Sequence, residues 1–337
     1  MRLDGACINK FAGHETFHPR YGWVKKSVDA VIKDPSLFND DEAVIELGVG
    51  KNMVKSIRFW GLAYKVLSAE KIEGARGQNL FPSVIGRTLF ADDGWDPFGE
   101  FSSTHWLLHW WLVAPVSQAP VWWLAFNEFS GIEFSDEQLT QFLVDRLRDW
   151  NPLRKAVEKD VSCFLRMYAG GSTSRIVFDD LIDCPSRELG LLTPGPERGT
   201  YRFVIGEKPT LSASVAAFAC LDFVARTESS ASTVNISRLA TEPGSPGKAF
   251  KLTEPGLTNL LETASRQHKE IDVTVAAGVP QLTFKGSPGK AGTSLLFKHY
   301  KDLVGDARPL KSEVLCGPEG SLPDESLQLA RFSGSSR

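Results

Sequence analysis

The chain has 337 residues, 42% of them hydrophobic, and a net charge of −3, which gives it the length for two or three compact domains and an ordinary globular composition. That charge excludes a general polycationic coat for nucleic acid, although a total can hide a local basic surface. The five cysteines, Cys7, Cys163, Cys184, Cys220 and Cys316, are scattered and form no C-x-x-C pair, which excludes a disulfide scaffold and points to reduced thiols in a cytoplasm.

The N-terminus, MRLDGACINK, lacks an apolar signal run, and the apolar stretch from Trp106 to Phe126 is interrupted by Pro115, Gln118 and Pro120. A cytoplasmic protein without a membrane span is expected. GHETFHPR, residues 13–20, then places His14, Glu15 and His18 in the order H-E-x-x-H. In zinc proteases that spacing holds Zn²⁺ between two imidazoles one helical turn apart, with the Glu activating a water. Here Gly13 and Pro19 flank the segment, and His18, as the residue before a proline, is biased towards an extended backbone. A zinc metalloprotease is therefore only a distant alternative.

Residues 41–47 predict a short helix with Ala43, Val44 and Leu47 inward, followed by a tight turn at Gly48, Val49 and Gly50. Val54, Ile57, Gly61 and Tyr64 then recur at helical spacing, which completes a helix-turn-helix pattern. On the other face Lys51, Lys55 and Arg58 fall at i, i+4 and i+7 with Asn52 beside them, and no acid occurs between 51 and 65. Such a stripe suits phosphate and base-edge contact, and it equally describes a solvated amphipathic helix. Ile72 and Leu80–Phe81 around the Gly-rich tip that contains Arg76 predict a β-hairpin wing.

Residues 101–170 predict buried, Trp-rich helices, in which His105 and His109 read as core histidines rather than ligands. Asp92, Asp93 and Asp96, and Asp179, Asp180 and Asp183, are acidic clusters; the first reads as an Asx-turn loop. From about 175 a helix, a Pro/Gly turn at GSPGKAF, a second helix over 254–266 and a β-hairpin suggest another winged helix. In its turn Ser245 and Lys248, with Gly244 and Gly247, could face a phosphate or could simply form a turn. The fold class expected is mainly α with small β-hairpins (α+β), with winged-helix or helix-turn-helix domains at both ends joined by a helical middle region. The divisions are 1–100, 101–174, 175–305 and a disordered tail over 306–337.

The ordered set FAGHETFHPRYGWVKK, LGVGKNMVKSIRFW, THWLLHWWL, WWLAFNEF, CFLRMY and EPGSPGKAFKL resembles the SspB-like family, over roughly residues 10 to 285. Its members were long labelled a domain of unknown function and belong to bacterial DNA phosphorothioation, a sulfur modification with a phage-defence role. The resemblance implies a protein that nicks one strand of double-stranded DNA and works with a cysteine desulfurase, an ATPase and a reductase-like sulfur-transfer enzyme. The family motif falls on Gly13, His14, Glu15, Thr16 and Phe17, with Arg20, Tyr21 and Gly22, and does not include His18.

Hydrolytic nicking needs an activated water, stabilisation of a pentavalent phosphate and a proton for the leaving oxygen. His14 as general base or acid, Glu15 as ligand of Mg²⁺ or Mn²⁺ or as the group orienting His14, and Arg20 on the phosphate could divide this work. His14 and Glu15 could instead tether the N-terminal segment by hydrogen bonds. The alternative function is a non-catalytic DNA-binding specificity subunit or transcriptional regulator, and a homodimer is plausible for either.

Overall fold

The structure is a computed structural model that describes residues 2–71, 77–170, 184–228, 230–305, 317 and 319–323. Arg76, the acidic residues Asp179, Asp180 and Asp183, Cys316 and most of the expected tail lie outside the described residues.

After the short helix α1 (Leu3–Ala6) the N-terminal part runs α2 (Trp23–Lys33), α3 (Ala43–Leu47) and α4 (Lys51–Ala63) into an antiparallel hairpin of β1 (Leu67–Lys71) and β2 (Gln78–Pro82). Gly48 ends α3 in the left-handed region at φ +62°, where a side chain would be strained, and Gly50 opens α4. Strand β1 is described as far as Lys71, Ile72 lies outside the described residues, and the expected hairpin is present.

Helix α5 (Val84–Phe90) is capped by Ser83, whose Oγ accepts from the Gly86 amide at 3.0 Å. Asp96 opens the next helix, α6 (Ser102–Val113), by accepting the amides of Glu100 at 2.8 Å and Phe101 at 3.1 Å and the Thr104 hydroxyl. This caps the helix and accounts for Asp96, while Asp92 pairs with Lys25 at 2.5 Å and Asp93 with Arg87. Apart from Ser102, every residue of α6 is buried, as is all of α7 (Pro120–Asn127). Helices hydrophobic all round belong inside a core.

The strand β3 (Glu133–Ser135) leads into α8 (Asp136–Arg146), which starts with a capping box between Ser135 and Gln138. Helix α9 (Arg154–Tyr168) follows, then β4 (Leu192–Pro194) and β5 (Thr200–Phe203). Strand β5 lies between β3 and β4, so this sheet joins the Trp-rich stretch to residues beyond 174. Next come α10 (Ala213–Thr227), β6 (Thr233–Asn235), α11 (Ile236–Thr241), α12 (Pro246–Ala249), α13 (Glu254–Gln267), β7 (Ile271–Ala276), β8 (Val279–Phe284) and α14 (Pro288–Val304). The order β6-β8-β7 repeats the order β3-β5-β4. The middle and C-terminal parts thus share one plan: a helix, a short strand, further helices and a hairpin whose second strand pairs with the short one.

One continuous apolar core runs from Leu3 to Tyr300 and centres on Trp60, Trp106, Trp110, Trp111, Trp122 and Trp123. Polar side chains inside it serve backbone ends. The Lys65 ammonium donates to the carbonyls of Trp111 and Ala114, the latter at 2.8 Å, and so closes the C-terminus of α6. Burial, with nearby Arg226, pulls its pKa well below the usual lysine value. Asp222 ties α10 to α6 by accepting from Trp110 Nε1 at 2.7 Å, and it pairs with Arg226 at 2.7 Å.

Candidate nucleic-acid interface

Helix α4 buries Val54, Ile57, Gly61 and its C-cap Tyr64, the face that the helical spacing predicts. Gly61 is needed there because a Cβ would lie 2.7 Å from Leu67 Cδ1. The opposite face exposes Lys51, Asn52 and Lys55, with Arg58 half-buried beside them. Lys51 pairs with Asp41 at 2.8 Å, and that hydrogen bond and charge raise its pKa. Lys55 pairs with Glu15 at 3.1 Å, and Arg58 Nη2 donates to Gln78 Oε1 of β2 at 3.0 Å. Lys10 adds another cation, lying 5.2 Å from the Phe59 ring centre, its pKa lowered by burial and by Arg58. The structure therefore gathers Lys51, Asn52, Lys55 and Arg58 on one surface.

GHETFHPR forms turns, not a helix. Ala12, Glu15 and Thr16 have φ of +53°, +48° and +69°, so His14 and His18 do not stack on one helical face, and the zinc-protease reading loses its geometry. Gly13 lets this loop press on α4, since a Cβ would meet Phe59 Cδ2 at 2.7 Å. His14 is 1% exposed, with its ring stacked on Trp60 and edge-on to Phe59 and Trp122. The Thr16 amide donates to Nδ1 at 3.1 Å, so the ring proton lies on Nε2 and is donated to Asp160 Oδ1 at 2.7 Å. The same oxygen accepts the Ala12 amide at 2.8 Å. Both imidazole nitrogens are thus committed inside the protein. This corrects the assignment of His14 as general acid or base: the ring holds the loop to α9.

Glu15 and Thr16, by contrast, reach the surface. The Glu15 carboxylate meets Lys55 of α4, and the Thr16 carbonyl accepts from Arg166 Nη2 of α9 at 2.5 Å. The loop consequently lies between the two helices. The Arg20 guanidinium sits over the Trp23 ring at 5.7 Å, and Tyr21 donates to Glu188. Desolvation, followed by the Glu188 hydrogen bond, raises the tyrosine pKa. Among the described residues no group of three or more His, Cys, Asp and Glu side chains is arranged to hold a metal, and Glu15, the expected ligand, is a single carboxylate already paired with Lys55.

The family model for a protein of unknown function (DUF4007) matches residues 11–300. The chain belongs to the DUF4007 family. Two solved chains resemble this DUF4007 protein closely. One is a magnesium-ion-bound SspB crystal structure, at 35% identity and a TM-score of 0.86, with 93% of each chain covered. The other is an SspB crystal structure at 36% identity and a TM-score of 0.85, covering 93% of this chain and 94% of that one. These make the chain SspB-like in fold as well as sequence. No curated protein matches it.

The second glycine-rich turn of the DUF4007 chain does not join the basic surface. Ser245 is 0% exposed, the Gly244 amide donates to Asn127 Oδ1 at 2.7 Å, and Gly247 packs against the Ala240 backbone. A phosphate cannot reach a hydroxyl buried this way, so the expectation for Ser245 is corrected: GSPGKAF is an internal turn, with only Lys248 half-exposed at its edge. His109, expected as a core residue, accepts from the Tyr168 hydroxyl at 2.7 Å and donates to the Ala249 carbonyl at 2.8 Å. His105 donates to the Gly99 carbonyl at 2.8 Å. Sequence reasoning missed Asp160 and Arg166, which hold the loop from α9. The helical spacing of α9 contained them, and nothing linked that helix to residues 12–16.

Proposed function

We propose that this protein binds double-stranded DNA through α4 and nicks one strand within a bacterial phosphorothioation system, in company with the desulfurase, ATPase and reductase-like components. The observation that carries this reading is the face of exposed Lys51, Asn52 and Lys55 with half-buried Arg58, set by a left-handed glycine turn in front of a hairpin. That order of helix, turn, helix and hairpin supports a winged helix at the N-terminus, and α11, α13, β7 and β8 support another at the C-terminus. In the DNA-bound form Lys51, Lys55 and Arg58 would hold phosphates while Asn52, near the start of α4, would face base edges.

For nicking, Glu15 is the group best placed to take a proton beside a phosphate held by Lys55. His14 acts only by fixing the loop that presents it, and Arg20 lies further along the same loop. Mg²⁺ or Mn²⁺ would have to compete with Lys55 for the Glu15 carboxylate. The test is conversion of supercoiled plasmid to open circles in EDTA, Mg²⁺ or Mn²⁺, comparing the intact chain with Glu15→Ala. Conversion by the intact chain that disappears in the variant, at unchanged binding, supports nicking centred on the loop. Tight binding without conversion in any condition would leave a DNA-positioning subunit.

A further inference from the structure

Helix α9 carries a second row of exposed polar groups. Lys155, Lys159, Ser162 and Arg166 fall at i, i+4, i+7 and i+11, which is one stripe of a helix; the first three are exposed and Arg166 is half-exposed. The stripe has no acid. Its flanking Glu158 is turned towards Arg154 at 2.9 Å, and Arg154 also holds Glu137 at 2.7 Å. Among the described residues neither Lys155 nor Lys159 has an acidic partner within ion-pair distance, unlike Lys51 and Lys55 of α4. An acid-free row of unpaired ammonium groups in a chain of net charge −3 is a local concentration of positive potential.

Topology and contact join this row to α4. Among the described residues α9 is the last α-helix before the hairpin β4-β5, the position that α4 holds before β1-β2 and α13 before β7-β8. The third of these helices differs: α13 exposes Asn259, Glu262 and Arg266, a face of mixed sign. At the surface the loop bridges α4 and α9, its adjacent residues Glu15 and Thr16 contacting Lys55 and Arg166 respectively. Their cations therefore flank the same short strip of backbone.

We propose that α9 is a second duplex-DNA contact helix, with Lys155, Lys159 and Arg166 on phosphates and Ser162 donating to a phosphate oxygen, so that α4 and α9 hold one duplex on either side of the loop. The inference rests on the reading of α4 as a DNA surface and adds the partner helix, while α13 stays off the DNA. Removing one cation from a phosphate lowers the slope of log affinity against log salt by about 0.9.

The experiment measures affinity for a fluorescent duplex by anisotropy across salt from about 50 to 200 mM, the range over which counterion release dominates. It compares the intact chain with Lys155→Ala/Lys159→Ala, Lys155→Arg/Lys159→Arg, Lys55→Ala and Arg266→Ala. The expected result is a slope reduced by roughly 2 and an affinity lower by about tenfold or more in the double alanine variant. The double arginine variant should recover both, which separates a charge contact from a folding defect, and Arg266→Ala should leave both unchanged. Intact slope and affinity in the double alanine variant, while Lys55→Ala is weakened, would overturn the role of α9 and leave α4 standing. The same intact values with Lys55→Ala also unaffected would overturn the α4 reading as well.

Discussion

Two glycine turns between helices have opposite environments in this molecule. The turn at Gly48 to Gly50 lies at the surface, where a Cβ on either glycine would meet nothing within 4 Å, and it sends Lys51, Asn52 and Lys55 outwards. The turn at Gly244 to Gly247 lies under Pro115, Phe223 and Ala240, and sends Ser245 inwards. Both contain the glycine, lysine and small polar residues that anion sites use, so residue type does not distinguish them. What distinguishes them is the neighbour: the first faces a charged helix and solvent, the second a wall of Trp-rich helices. A turn is available to a ligand only where the core leaves it uncovered.

The loop from Ala12 to Thr16 combines both conditions, and its buried end should give the largest effect. His14→Ala removes a packed ring with both nitrogens bonded and leaves Asp160 without its side-chain partner, for a loss of about 3 to 5 kcal/mol in urea denaturation. Wild-type stability in that variant would return His14 to the list of solvent-facing catalytic groups. Acid should sharpen the contrast next. Burial pushes His109 down from 6.5 to about 4, so the unfolded chain binds the proton first. The stability it contributes is complete above about pH 6.5 and is lost as pH falls towards 4, on the order of 3 kcal/mol in all. Urea midpoints that stay level between about pH 6.5 and 4.5 would contradict this.

The glycines themselves provide the direct test. A Cβ on Gly247 would lie 2.4 Å from the Ala240 Cα and carbonyl oxygen, so Gly247→Ala should cost about 2 kcal/mol or more through forced backbone movement. Gly48→Ala has open space and is strained only by its positive φ, at about 1 kcal/mol. Thermal melts that rank the two in reverse would mean the second turn is looser than its packing implies. The smallest effect belongs to Ser245→Ala. Among the described residues the buried Oγ has no hydrogen-bond partner, so its removal should leave stability equal or up to about 1 kcal/mol higher, with duplex affinity unchanged.

Helices α3 and α4 and the glycine turn between them were legible because each local signal agreed: Gly48 where φ must be positive, an apolar face at Val54, Ile57, Gly61 and Tyr64, and cations opposite. The hairpin after them was legible too, from Leu80 and Phe81 beyond a Gly-rich tip. Strand β3 was not, because three residues are too few for alternation to register and its partner Tyr201 lies far along the chain. The purpose of His14 was hidden for the same reason. Its hydrogen-bond partner is 146 residues away on a helix whose sequence shows only an amphipathic pattern. Burial of Ser245 depends on α7, and no local pattern reports what a distant helix will cover.

The carboxylates of Asp41 and Glu15 already rest on Lys51 and Lys55. A polyanion arriving at this face would therefore exchange partners rather than fill vacant cations, and the two displaced carboxylates would stand close to the incoming charge. Such built-in rivals weaken any loose encounter, since a poorly aligned strand would break two ion pairs without replacing them. Only a strand seated well enough to satisfy both ammonium groups at once would offset that cost, so the two acids would act as a threshold against indiscriminate contact.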